Sequence, residues 1–356
     1  MAPRCPKLNV RNFAIDVLFV VSPHSLLLDI AGPAEAFRLA NLQRLERGQP
    51  PRFRLRFTGA LPSMTTSVGL SIADLEPFPK VLSAPTWVVI AGQPTAHVNQ
   101  ATSSIHVTAQ WLRRTMRDPL DAPDTLHRLI TICSGALVAA RAGLVDDRRC
   151  TTHHGMLDLL RELAPRARVV DNRVFVVDGP VASSAGITAG IDLALHLIAD
   201  ECGDALSASV AEEMVVYLRR SPRDPELSPL LVHRRHLHSA VHKVQDAVST
   251  EPQRDWSMPT MAALGHVTER HLLRLFTRHA GVSPMHFLRV TRLERARHLI
   301  DQGASVGRAA ELSGFRSTLH LRRAWSREWG GSPRDAQLAA LATHGVKSRA
   351  GRSAHT

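Results

Sequence analysis

Toward its C-terminal end the chain repeats itself at a fixed offset of 49 residues, and a duplication of that size restricts the region to two copies of one small supersecondary unit. Laying Gly265 to Pro284 over Gly314 to Pro333 without a gap gives eight identical pairs in 20 positions. They are Gly265/Gly314, His271/His320, Leu272/Leu321, Arg274/Arg323, Arg278/Arg327, Gly281/Gly330, Ser283/Ser332 and Pro284/Pro333. Thr268/Ser317 and Phe276/Trp325 are conservative pairs. Ordinary composition supplies about one or two identities in such a window, so the match marks a repeat.

Each copy reads as helix, turn, helix. Gly265 and Gly314 follow short apolar helical segments, where a left-handed turn needs a residue without Cβ. Thr268 and Ser317 are placed to cap the next helix by accepting from its free N–H groups. That helix is expected to run to about His279 and Glu328, stopped by Gly281 and Gly330, before Ser-Pro starts another. On a helical wheel Leu272, Leu275, Phe276 and His279 share a packing face, while Arg270, Leu273, Arg274 and Thr277 lie opposite. The outer face is expected to enter a DNA major groove through Arg270, Leu273 and Arg274, and its second copy through Thr318, Arg322 and Arg323. Between the copies, Pro284 to Ile300 reads as one helix of about 25 Å, with Phe287, Leu288, Leu293, Ala296 and Leu299 as its apolar side. A plain helical bundle would leave the basic outer faces and the doubled turn unexplained.

Charge agrees with two such grips. Residues 219–356 hold 23 Lys/Arg against 11 Asp/Glu, while residues 1–218 hold 21 of each, so the whole net charge of +12 sits in the C-terminal part. A neutral region fused to a basic one is the footprint of phosphate binding with counterion release. With a single Tyr in the chain, stacking on single strands is disfavoured and duplex DNA is the better target.

From His233 to Asp335 the sequence resembles the DNA-binding domain of the AraC/XylS family of transcription regulators. The resemblance rests on Trp256-Ser257-Met258, the run Thr268 to Phe276, Gly281-Val282-Ser283-Pro284, Arg292-Leu293 with Ala296-Arg297 and Leu299, Gly314-Phe315, and Gly331-Ser332-Pro333. Leu321 stands where family members often carry an aromatic, and Asp335-Ala336 replaces the usual aromatic-basic ending.

At 356 residues and 44% hydrophobic, the chain can bury two cores. The N-terminal part alternates strand and helix signals, with short β-type runs at Ile15 to Val21, Arg54 to Thr58, Trp87 to Ala91 and Leu129 to Ile132 separated by amphipathic or loop segments such as Pro33 to Asn41 and Ser104 to Met116. That order predicts an α/β domain, a parallel sheet with helices on both faces, with ligand chemistry at the carboxyl ends of the strands. The C-terminal domain is expected to be all-α. Leu8 to Val21, broken by Arg11, Asn12 and Asp16, reads as a lead-in and first strand rather than a signal peptide or membrane anchor. Cys5, Cys133, Cys150 and Cys202 show no metal or redox spacing, so no metal or other cofactor is expected and a reducing cytoplasm fits.

One strand end carries chemistry. Ile130-Thr131-Ile132 delivers Cys133, and Ser134-Gly135-Ala136 opens a helix to Ala142-Gly143. A turn of this kind presents an at least partly accessible thiol whose thiolate the helix start favours. Leu28-Asp29 through Phe37, Ala91-Gly92, Cys133-Ser134-Gly135, Ala142-Gly143-Leu144, Thr151-Thr152-His153 and Ser184-Ala185-Gly186 with Gly190-Ile191-Asp192 together resemble the ThiJ/PfpI branch of the class I glutamine-amidotransferase-like superfamily, over about Phe13 to Ala199. The resemblance implies that Cys133 is the elbow cysteine, Asp29 its acidic partner, His153 the histidine of the Thr-Thr-His segment, and Gly92 a neighbour of the oxyanion site. Ser134 stands where protease-like members carry a catalytic His, so peptidase activity is not expected. Structural roles remain open beside ligand contact, with Asp29 capping the Pro33 helix and His153 capping or packing at the start of the next helix.

The joined architecture resembles regulators in which a ThiJ/PfpI-like domain senses a small molecule and mediates dimerisation while the AraC-type domain binds promoter DNA. The expected layout is 13–220 for the sensing and dimerisation domain, 221–232 for a Pro-rich linker, 233–336 for the DNA-binding domain and 337–356 for a flexible tail. Partners implied are double-stranded promoter DNA, a small-molecule effector, a second copy of the chain and, for an activator, RNA polymerase. The competing class is a hydrolase or hydratase of small C–N compounds with Cys133 as nucleophile, fused to a DNA-binding domain.

Overall fold

The computed structural model describes residues 15–338, apart from 84, 95–102, 217–219, 223–232, 234–235, 237 and 302. Cys5, nearly all of the 221–232 linker and the tail beyond 338 therefore lie outside the described residues. Contacts divide the chain into two compact units, Met1–Glu226 and Leu227–Thr356.

In the first unit the chain runs β1 (Ile15–Val20), α1 (Leu27–Glu46), β2 (Phe53–Thr58), β3 (Met64–Thr65), β4 (Ser71–Ile72), β5 (Thr86–Ile90), α2 (Ser103–Asp121), β6 (Arg128–Ile132) and α3 (Gly135–Arg141). It continues through β7 (Arg149–Cys150), α4 (Leu157–Leu163), β8 (Arg168–Val169), β9 (Phe175–Asp178), β10 (Val181–Ser184), α5 (Ala189–Cys202) and α6 (Asp204–Glu213). The main sheet has the order β2-β1-β5-β6-β10-β9, parallel throughout except for the antiparallel edge pair β10/β9.

Every residue of β1 is buried because the sheet is covered on both faces. Val17 and Phe19 pack with α1, α5 and α6, while Leu18 and Val20 pack on the other face with α2, α3 and α4. The expected α/β class is what this unit adopts. One sequence expectation is corrected. Pro33 does not start a helix but lies inside α1, which begins at Leu27. Having no N–H, Pro33 gives no helical bond to the carbonyl of Asp29, four residues earlier. The β9/β10 hairpin was missed, because four-residue strands such as Val181-Ala182-Ser183-Ser184 are too short and polar to show a pattern.

The second unit is helical among its described residues: α7 (Ser239–Thr250), α8 (Met258–Leu264), α9 (Glu269–Ala280), α10 (Pro284–Asp301), α11 (Val306–Leu312) and α12 (Thr318–Trp329). One core joins α7, α8, α9 and the start of α10 around Phe276, Phe287 and Trp256. A second joins the end of α10 to α11 and α12 around Leu293, Leu321 and Trp325. The long helix α10 therefore belongs to both. Leu321, standing in place of an aromatic, is fully buried in the second core. Asp335 accepts from the backbone N–H and hydroxyl of Ser332, closing a cap on the helical stretch 333–338. Among the described residues no helix is long and apolar enough to cross a membrane.

Candidate functional site

The carboxyl ends of β1, β5, β6 and β10 lie along one edge of the sheet, and the elbow residue Cys133 follows β6 there. Cys133 adopts a positive φ of 53°, a conformation that costs a non-glycine residue about 1–3 kcal/mol and persists only where its surroundings impose it. They do so through two hydrogen bonds. Cys133 N donates to the Ser184 carbonyl at 3.0 Å, and Thr152 Oγ1 donates to the Cys133 carbonyl at 2.8 Å. The segment Thr151-Thr152-His153 is thereby tied to the elbow.

Asp29 and Gly92 meet Cys133 at one point. A methyl group placed on Gly92 would stand 2.8 Å from Asp29 Oδ2 and 2.9 Å from Cys133 Cβ, so only a hydrogen fits. Gly92 N donates to Asp29 Oδ2 at 2.9 Å. The N–H expected near an oxyanion is thus engaged by the carboxyl, and Asp29 does not cap α1. Asp29 is fully buried, and burial pushes its carboxyl up to about 7 against the lowering effect of the Gly92 hydrogen bond.

Ser134 proves to be a structural element that sequence reasoning left without a role. Its hydroxyl accepts from Gln93 N at 2.7 Å and donates to Gln93 O at 2.8 Å, clamping the loop after β5 onto the elbow. Gly135 must follow, since a Cβ there would lie 2.3 Å from the Ile90 carbonyl. Cys133 itself is only 4% exposed, which corrects the expectation of a partly accessible thiol. It belongs to the core cluster that includes Ile132 and Ala189, with Gly92 against its Cβ. His153 is half-buried, and its Nδ1 accepts from Gly155 N at 3.2 Å, capping the turn His154–Met156. The structure therefore brings Cys133, Asp29 and Gly92 together and gives His153 a turn-capping hydrogen bond. Near the elbow, the hydroxyls of Thr131, Thr151 and Ser184 are buried without hydrogen-bond partners among the described residues. Among those residues no group of three or more His, Cys, Asp or Glu is disposed to hold a metal ion.

The second unit presents two basic helices. Thr268 Oγ1 accepts from His271 N and Ser317 Oγ from His320 N, which starts α9 and α12 at equivalent places. Leu272, Leu275 and Phe276 are buried in α9, as are Leu321 and Trp325 in α12. Arg270, Leu273, Arg274, Thr318, Arg322 and Arg323 are all exposed, Leu273 by 44%. The turns before these helices differ by one residue. In the first copy Gly265 is right-handed and His266 takes the positive φ of 53°, whereas in the second Gly314 itself has φ 80°. The expected left-handed glycine is thus corrected at 265. A cavity of about 440 Å³ lies between α10 and α12, with Leu288, Phe315 and Ala324 beside Arg289, Arg323 and Arg327.

Comparison with known proteins matches residues 261–338 to a helix-turn-helix domain family and residues 122–200 to the DJ-1/PfpI family. The HTH-type transcriptional regulator GlxA of Rhizobium meliloti is 30% identical over 329 residues, covering 92% of this chain and 93% of that protein. The HTH-type transcriptional regulator GbdR of Pseudomonas aeruginosa is 32% identical over 213 residues, or 59% of this chain. The chain spans 57% of GbdR's length. An isonitrile hydratase of Pseudomonas putida is 30% identical over 223 residues, covering 62% of this chain and 87% of the enzyme. With both units matched in this order, the chain belongs to the AraC-type helix-turn-helix transcriptional regulators that carry an N-terminal DJ-1/PfpI domain.

Proposed function

We propose that the protein regulates transcription by gripping duplex promoter DNA with α9 and α12, under the control of a small effector received at the Cys133–Asp29–Gly92 site. The observation that carries this reading is the duplicated basic face. Arg270, Arg274, Arg322 and Arg323 are exposed on capped helices and engage in no ion pair among the described residues, which leaves their guanidinium groups available for base edges and phosphates. Residues 13–220 act as the sensing and dimerising domain, 233–336 as the DNA-binding domain and 221–232 as the linker, and the protein works as a homodimer in the cytoplasm. Enriching bound sequences from a randomised duplex pool with the full-length protein tests the reading. Two separated blocks of bases should emerge, and failure to enrich any sequence overturns it.

A second reading has its own observation. The strained elbow with a buried carboxyl that is raised to about 7 could run acid/base chemistry on a small C–N compound. The kinship with an isonitrile hydratase supports it. Turnover of a small isocyanide, nitrile or amide by the wild type, abolished in Cys133→Ser, would establish this activity. Absence of turnover, with DNA binding intact in Cys133→Ser, leaves the site to effector sensing.

A further inference from the structure

We propose that Arg292 and Gly314 form a fixed joint between the two helix-turn-helix units and thereby set the spacing at which the protein reads two blocks of bases. The inference rests on the DNA-binding reading above and assigns neither residue a contact with DNA. Because α10 enters both helical cores, it links the two helix-turn-helix copies, but a single helix leaves the second copy free to swing about it. The loop 251–256 supplies a second point of attachment. It belongs to the first helix-turn-helix copy, since Trp256 is buried in that core and its Nε1 donates to the Glu251 carbonyl at 2.9 Å.

From α10, Arg292 reaches across to that loop with two donors. Nε bonds the Pro252 carbonyl and Nη2 the Arg254 carbonyl, both at 2.7 Å. The rigid guanidinium fork holds two carbonyls of one turn at once. Gly314, in the turn of the second helix-turn-helix copy, then lies directly on the same loop. A Cβ at position 314 would stand 2.6 Å from Gln253 Cα and 3.0 Å from both Gln253 O and Arg292 Nε, and the φ of 80° disfavours any side chain there. Gly265, its equivalent in the repeat, has φ −77° and would place a Cβ no closer than 3.5 Å to a neighbour. The two glycines match in sequence, but of the two only Gly314 is held by a contact between the helix-turn-helix copies.

Two grips on a stiff link reinforce each other at one spacing, whereas a loose link spreads the gain over many. The test is selection from a randomised duplex pool by full-length wild type, Arg292→Ala, Arg292→Lys, Gly314→Ala and Gly265→Ala, reading the separation of the two enriched blocks. Affinities are then measured for duplexes carrying both blocks or one, with thermal melting as a check on folding. Wild type and Gly265→Ala should give one separation. Arg292→Ala and Gly314→Ala should give a shifted or broadened separation and lose about tenfold in two-block affinity, with one-block affinity unchanged within about twofold. Should Gly314→Ala unfold, Arg292→Ala decides. Retention of the wild-type separation and affinity in Arg292→Ala overturns the joint. So does full rescue by Arg292→Lys, which would mark a simple charge contact. If the wild type enriches nothing, it is the DNA-binding reading itself that fails.

Discussion

Gly92 N donates to Oδ2 of Asp29 at 2.9 Å, while Oδ1 of the same carboxyl has no hydrogen-bond partner among the described residues. One oxygen is therefore served by the backbone and the other is buried without a donor. Ionisation of such a group is opposed by desolvation, and the carboxyl is held at about 7. Near neutrality Asp29 is able either to donate a proton to a ligand or to accept one.

The raised value fixes the sign of a pH effect. Between about 4, where an unfolded aspartate titrates, and about 7, the folded state binds more protons than the unfolded one, so stability falls as pH rises through this window. Asp29→Asn removes the titration. We expect the variant to be more stable than wild type at pH 8 by a few kcal/mol on the order of the linkage, and the difference to shrink toward pH 4. Denaturant unfolding of the first unit in the full chain, followed at both pH values, measures it. Equal pH dependence in the two proteins would contradict the assignment.

Cys150 is fully buried, and burial, with Asp178 adding to it, pushes its thiol up to about 11. Burial also raises Cys202. A thiol that is both shielded from the reagent and held protonated should be alkylated much more slowly in the folded chain than in the denatured chain at pH 8. Peptide-resolved labelling with a small alkylating reagent checks this. Equal labelling rates for Cys150 in the folded and denatured chain would show that its environment is misread.

Arg274 projects from the exposed face of α9, one turn beyond Arg270. Replacing it with alanine should cost about 1–3 kcal/mol of specific binding and relax preference at one base position, since a bidentate arginine reads guanine. Titration of wild type and Arg274→Ala at fixed salt, against a duplex carrying the selected sequence and single-base variants of it, gives both quantities. Identical affinity and preference would remove Arg274 from the interface.

Helix starts provide a matched pair. Thr268 Oγ1 accepts from His271 N at 3.3 Å and Ser317 Oγ from His320 N at 3.2 Å. Thr268→Ala and Ser317→Ala should each destabilise the second unit by about 1 kcal/mol, a lost cap in either case. Thermal unfolding of the two variants would show similar downward shifts, and an unchanged midpoint in either would mean that its cap contributes nothing.

Much of this architecture was legible because it repeats or alternates. The strands before and at the elbow announce themselves as apolar runs, and the doubled unit gives its own caps and stops, since Thr268, Ser317 and Gly281 do locally what their chemistry favours. What escaped depends on neighbours distant in sequence. Ser134 reads as a departure from a pattern until Gln93, 41 residues away, is placed against its hydroxyl. Cys133 reads as exposed until Gly92, 41 residues earlier, is placed against its Cβ. Pro33 misplaced a helix start because proline favours the first turn, yet here it sits within α1. Arg292 is marked in the sequence as part of a matched motif but without a role, and the carbonyls of Pro252 and Arg254 disclose its fixed position.

The one-residue difference between the two turns removes the interchangeability with which a tandem duplication begins. A graft of the first copy's turn onto the second would move the positive φ from position 314 to 315, following His266, and so withdraw the bend from Gln253. Sequence drift should accordingly be lopsided: position 265 is open to small side chains, while 314 is closed to all of them by a backbone belonging to the other copy.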